Sequence, residues 1–129
     1  MSDLLGAMPF AERLGVRLGE ATPERVSGAL DWAHDLCTAG GVLHGGALMA
    51  AADSLGALCA YLNLPDNATT ATLESKINFF RAVRSGTVSL VSTPLHIGRS
   101  SIVVQTEVAD DAGRPVALVI QTQAVLATV

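Results

Sequence analysis

A chain of 129 residues is long enough for one domain with a substantial core and short for an enzyme of two domains. Half of the residues are hydrophobic and the mean hydropathy is +0.43, high for a monomer wetted on all sides, so some apolar surface is expected between subunits. The formal charge of −4 argues against a nucleic-acid partner, because proteins that grip a phosphate backbone present a net basic face.

Residues 2–14 form an amphipathic lead-in, in which Pro9 starts a helical turn that directs Phe10 and Leu14 towards a core. Strands follow at 16–21 and 25–33, divided by Thr22, Pro23 and Glu24, whose proline favours a turn. In the second strand Val26, Gly28, Leu30 and Trp32 alternate with Arg25, Ser27, Ala29 and Asp31, the period of a half-buried strand. After a loop over 34–44, a run dominated by Ala, Leu and Met predicts a helix over about 45–64. It is apolar on nearly every face, and so enclosed by protein, and is stopped by Pro65, Asp66 and Asn67. Its length approaches that of a membrane span, but Asp53 at its centre and the strands beyond it speak against insertion, and no membrane association is expected.

Four more strands are predicted at 69–81, 86–97, 100–109 and 115–128, with turns at 84–86, 97–98 and 110–113. Ile102, Val104 and Val108 face one way while Gln105 and Glu107 face the other, and the last strand repeats the period with Val116, Leu118, Ile120 and Leu126 as its apolar face. Pro94 marks a bulge or an edge. Two strands, one long helix and four antiparallel strands describe a single α+β domain spanning 1–129, a curved sheet wrapped around a helix. Cys37 and Cys59 have no metal or redox spacing, and no basic segment precedes an apolar one at the N-terminus, so a reduced, cytoplasmic protein without a signal peptide is expected.

The residues richest in chemistry open the long helix. Gly41, Val42, Leu43, His44, Gly45 and Gly46 run directly into it, and Asp53 is its only charge. A carboxylate on a buried helix must be paired, hydrogen-bonded or neutralised. Glycines at a helix start let a ligand approach backbone N–H groups that have no partner in the helix, which suits an anion or a polarised carbonyl oxygen. Taken singly, the glycines are a turn, His44 a loop histidine and Asp53 a buried acceptor; their union on one helix points to function. From Ser75 to Thr106 the chain holds Lys76, Arg81, Arg84 and Arg99 and no acid, a locally basic stretch whose arginine forks suit phosphate and whose ordinary reading is a solvated strand edge. His34, Cys37 and His44, two histidines and a cysteine in a glycine-bearing loop, are more often unconnected than a metal shell, so no metal is expected.

The order of elements and the spacing of Gly41, His44, Gly45, Gly46 and Asp53 resemble hotdog-fold acyl-CoA thioesterases, in particular the phenylacetate-degradation and 4-hydroxybenzoyl-CoA thioesterase group, from Pro9, Phe10, Leu14 and Gly15 to the last strand. The resemblance implies hydrolysis of an acyl-CoA to the free acid and coenzyme A without a cofactor. Gly45 would donate its amide to the thioester carbonyl, Gly46 would allow close approach, and Asp53 would serve as nucleophile or general base. His44 would position the thioester or the departing thiolate. The family's Asn or Gln six residues before the histidine, which orients the carboxylate or water, is Thr38 here. The nucleotide end of coenzyme A would meet Arg81 or Arg84 with Arg99, Ser100 and Ser101. Thr70, Thr72 and Ser75, on the strand after the helix, are candidates to line the site where the acyl end would lie, against their ordinary reading as surface-facing strand formers.

Hotdog hydratases and dehydratases, which move water across a double bond with a histidine and an acid, carry different motifs. A non-catalytic acyl-CoA-binding domain usually accompanies a DNA-binding segment, for which the residues before Val16 leave no room. Gly45 and Asp53 stand eight residues apart on the helix, about 12 Å along its axis, too far for one thioester to touch both. A homodimer with antiparallel helices solves this, and the resemblance implies that two such dimers form a tetramer. Aromatic, phenylacetyl-like and medium-chain acyl groups all remain open.

Overall fold

The computed structural model describes the chain from Ser2 to Thr128. Two short helices lead in, α1 (Ser2–Gly6) and α2 (Pro9–Leu14). Pro9 suits the first turn of α2, where its missing N–H costs nothing, and Gly15 ends the helix in the left-handed region at φ 92°. Ala11 and Leu14, three residues apart, form the buried face of α2, whereas Phe10 is 63% exposed and does not join the core as its sequence position led one to expect.

The hairpin of β1 (Arg17–Thr22) and β2 (Arg25–Asp31) comes next, then two 3₁₀ turns, His34–Leu36 and Ala39–Gly41, and the long helix α3 (Gly45–Tyr61). The remaining strands are β3 (Ala68–Phe79), β4 (Thr87–Ile97), β5 (Ser101–Ala109) and β6 (Pro115–Ala127). α3 ends three residues short of the predicted Leu64. Asn63 is the reason: its side-chain amide donates to the Cys59 carbonyl at 2.8 Å and to the Pro23 carbonyl at 2.7 Å, capping the last turn and tying it to the first hairpin. Among the described residues no helix is long and apolar enough to cross a membrane.

The six strands form one antiparallel sheet in the order β1-β2-β4-β5-β6-β3, with α3 packed across one face. Leu48, Ala51, Ala52, Leu55 and Cys59 of the helix meet Val26, Leu30, Val88, Leu90, Ile102 and Val104 of the sheet. The approach is close: a Cβ on Gly28 would lie 2.7 Å from the Leu55 side chain. The β5–β6 turn is closed by Asp110, whose carboxylate accepts the N–H groups of Ala112 (3.0 Å) and Arg114 (2.9 Å). These backbone donors, the Arg114 N–H first, hold its carboxyl below the usual range. Pro94 sits at a register shift in the β4–β5 pair, a bulge where its missing donor is tolerated.

Two features depart from the sequence reading. In β6 the inward face carries Ala117, Val119, Gln121 and Gln123, while Ile120 is 39% and Leu126 45% exposed and Leu118 is only half-buried. The alternation read along Leu118, Ile120 and Leu126 follows the outer face, because two glutamines with partners beneath the helix occupy the inner one. Nor is α3 enclosed on all sides: Gly46 and Tyr61 are exposed, with Met49, Ala50, Asp53 and Ala57 half-buried between them, leaving one stripe open beside the edge strand β3 within the single chain.

Candidate functional site

The loop before α3 is pinned at several points. Trp32 donates its indole N–H to the Gly41 carbonyl at 3.0 Å, Leu43 its N–H to Val83 at 2.8 Å, and His44 its N–H to Leu36 at 2.8 Å. His44 caps the helix, its Nδ1 accepting the Gly46 N–H at 2.7 Å. With Nδ1 used as an acceptor, the neutral ring carries its proton on Nε2, on an exposed side chain. The Gly46 amide is thereby occupied, and the Gly45 amide, at the first helical position, has no acceptor among the described residues. Gly45 packs against the Phe79 ring, which a Cβ there would approach to 2.7 Å. Its cavity, about 450 Å³, is also lined by Thr38, Leu43, Leu48, Phe79 and Arg81.

Two turns further on, the helix turns Asp53 towards β3 and β6. Its Oδ1 accepts the Thr72 hydroxyl at 2.7 Å and the Gln121 amide at 3.0 Å, while Oδ2 has no donor among the described residues. The side chain opens onto a groove of about 250 Å³ shared with Gly46, Met49, Ala50, Thr72 and Ser75. A bulge at Leu73 makes this arrangement possible. The extra residue shifts the parity of β3, so that Thr70 and Thr72 before it and Ser75 and Ile77 after it point towards the helix, and Glu74 and Lys76 point away. Beyond Ala57 the stripe continues into a second, larger groove of about 410 Å³, lined by Leu4, Met8, Leu58, Tyr61 and Thr70.

The residues singled out in the sequence are brought together only in part. His44, Gly45, Gly46 and Thr38 gather at the head of α3. Thr38 lines the Gly45 cavity and makes no contact with Asp53 of its own chain, whose donors are Thr72 and Gln121 instead. Arg81 borders the Gly45 cavity; Arg84 donates to the Gly40 carbonyl at 3.2 Å and shares another cavity with Asp110, Asp111 and Arg114, so the acid-free stretch of sequence is not acid-free in space. Arg99, Ser100 and Ser101 lie at the β4–β5 turn, where the Ser100 carbonyl accepts the Val125 N–H at 3.0 Å. That is the other end of the sheet from Arg81 and Arg84, the length of β5 away, roughly 27 Å at about 3.4 Å per residue. Gln121 and Gln123 were missed from sequence. Their signal was their spacing, two amides flanking Thr122 in a strand otherwise without polar side chains, on the face opposite to the one the alternation favoured.

Residues 40–117 match the model of the thioesterase superfamily. ComA2 of Bacillus subtilis, which carries a provisional esterase name, is 35% identical over 117 residues, covering 89% of this chain and 92% of that protein. The 1,4-dihydroxy-2-naphthoyl-CoA hydrolase of Escherichia coli is 39% identical over 74 residues, 57% of this chain and 54% of that one. The crystal structure of a variant of thioesterase PA1618 from Pseudomonas aeruginosa, 28% identical, superposes with a TM-score of 0.92 over 98% of this chain and 93% of that one. The chain therefore belongs to the thioesterase superfamily, a hotdog-fold thioester hydrolase.

Proposed function

We propose that this protein hydrolyses acyl-CoA thioesters to the free acid and coenzyme A, with Asp53 as the reacting carboxylate. The observation that carries the reading is the state of Asp53 on the open stripe of α3: one oxygen held by two donors, the other facing a groove. The Gly45 N–H polarises the thioester carbonyl and takes up the charge that grows on its oxygen. Asp53 Oδ2 then either attacks the carbonyl carbon, expelling the thiolate and leaving an anhydride for water to open, or removes a proton from a water that attacks in its place. His44, with its Nε2–H outward, positions the thioester or the leaving thiolate, and Gly46 permits the approach.

Since Gly45 and Asp53 stand about 12 Å apart along one helix, the reading requires two chains, with α3 antiparallel to its copy across a two-fold axis and the head of one helix beside the middle of the other. The free edge of β3 supports this pairing. Thr38, beside Gly45, then serves the partner's carboxylate, and Arg81 and Arg84 from one chain combine with Arg99, Ser100 and Ser101 from the other to hold the nucleotide end of coenzyme A. Two such dimers make the tetramer that the family resemblance implies, and the high mean hydropathy fits apolar surface buried between subunits. Two free cysteines suit a cytoplasmic location.

The test is thiol release from benzoyl-, phenylacetyl-, hexanoyl- and decanoyl-CoA by the wild-type protein and by Asp53→Asn. At least one thioester should turn over, and the variant should lose about 10²–10⁴-fold in kcat while keeping the fold, because the amide is neither nucleophile nor base. Loss of only a fewfold, or no turnover by the wild type, rejects the assignment.

A further inference from the structure

We infer that Gln121, seated in a notch left by Gly56, is a positioning residue for this hydrolysis: it holds Asp53 Oδ1 and thereby presents Oδ2 to the substrate. The inference rests on Asp53 being the reacting carboxylate.

Gly56 is buried in the interior of α3, where glycine is an unfavourable helix residue. A Cβ there would collide with the Gln121 amide, approaching its Cδ to 2.5 Å and Oε1 closer still. The missing side chain is thus the space in which this amide sits. Gln121 is fully buried, yet its Oε1 finds no hydrogen-bond partner. A buried acceptor left without a donor is unfavourable, so its retention calls for a reason elsewhere in the same group.

That reason lies at the other end of the amide, and its direction is set by a chain of bonds that begins at a backbone carbonyl. The Thr70 hydroxyl donates to the Ala124 carbonyl at 2.7 Å, which can only accept. The Thr70 oxygen is then free to accept from Gln123 Nε2 at 3.1 Å, and this turns Gln123 Oε1 towards Gln121. Facing an acceptor 2.9 Å away, Gln121 must present Nε2, and the second proton of that nitrogen points at Asp53 Oδ1. The amide is locked with its donor towards the carboxylate. Thr72 adds a further donor and has an alternative: its oxygen lies 2.7 Å from Asp53 Oδ1 and 2.6 Å from Gln123 Oε1, and its one proton serves either. When Asp53 gains a proton from water, the hydroxyl can turn to Gln123, so the arrangement tolerates both charge states of the acid.

The experiment measures kcat and KM of the full chain on benzoyl-CoA and hexanoyl-CoA, well below the melting temperature, for the wild type, Gln121→Ala, Gly56→Ala and the double variant. Crystal structures of the same proteins give the orientation of Asp53. Each single variant should lower kcat by about tenfold to a hundredfold with KM changed less than about threefold, since a misaimed group costs rate more than binding. The double variant should be no worse than Gln121→Ala, because without the amide nothing is left for the alanine to displace. In the crystals the Asp53 carboxylate should leave its wild-type pose. An unchanged pose with kcat within twofold of the wild type overturns the inference, and so does a rate loss confined to KM. If Gly56→Ala does not fold, Gln121→Ala supplies both readouts. A wild type inactive on these two and also on phenylacetyl- and decanoyl-CoA counts against hydrolysis itself, and the Asp53 pose in the variants then decides the positioning role alone.

Discussion

Asp53 and Cys59 sit six residues apart on α3 and are treated in opposite ways. The carboxylate is supplied with donors, whereas the thiol is buried without charge-stabilising partners, and burial pushes it from its ordinary value of 9.0 up to about 11. Its folded value is raised, so the neutral thiol's contribution is fully present below about 9 and is lost as pH rises towards 11, because the unfolded chain ionises first. The loss follows about 1.4 kcal/mol per pH unit over that window. Urea melts of wild type and Cys59→Ala between pH 8 and 11 should show the stability gap between them closing as pH rises; a constant gap would refute the account. The two residues also mark what could be read from sequence. A lone acid in an apolar helix and a glycine pair at its head stand out against any background, so Asp53, Gly45 and His44 were legible. Thr72 was legible only as one of three strand hydroxyls near the site, and Gln121 not at all, because a polar residue in a strand is outward by default and only the register of β6 turns this one beneath the helix.

At the level of elements, most boundaries were legible to within two or three residues because proline, glycine, asparagine and aspartate punctuate them: Pro23, Gly86, Gly98 and Gly113 all fall in turns. Periodicity tells which way a strand faces and not which strand it lies beside. The return of β3 to the far edge, next to β6, therefore could not be read, nor could the parting of the arginines to opposite ends of the sheet. The acid-free stretch acquires Asp110 and Asp111 as neighbours only because the β5–β6 turn folds back beside Arg84. A prediction follows for the two basic ends. Alanine at Arg81 or Arg99 should raise KM for an acyl-CoA about tenfold, the scale of one lost charge-assisted hydrogen bond, and leave KM for the matching acyl-pantetheine nearly unchanged. Equal rises on both substrates would mean that neither end reads the nucleotide.

Over the whole molecule, α3 lies with its open stripe towards β3, one of the two edge strands of the sheet. β3 bears Thr72, which holds Asp53, on its inward face, and Leu73, 67% exposed at the bulge, on its outward face. Under the two-fold pairing of α3 proposed above, the strand that supports the acid is also the strand that meets the second copy. Concentration then becomes a term in the rate law. Above the dissociation constant of such a pair, rate should rise in proportion to enzyme; once dilution takes the chain below it, doubling the protein should quadruple the rate, because paired sites scale with the square of free chain. A progress curve series across that range, with chain separation followed by sedimentation, reads this directly. A specific activity that stays flat after the chains have parted would place the whole reaction within one subunit.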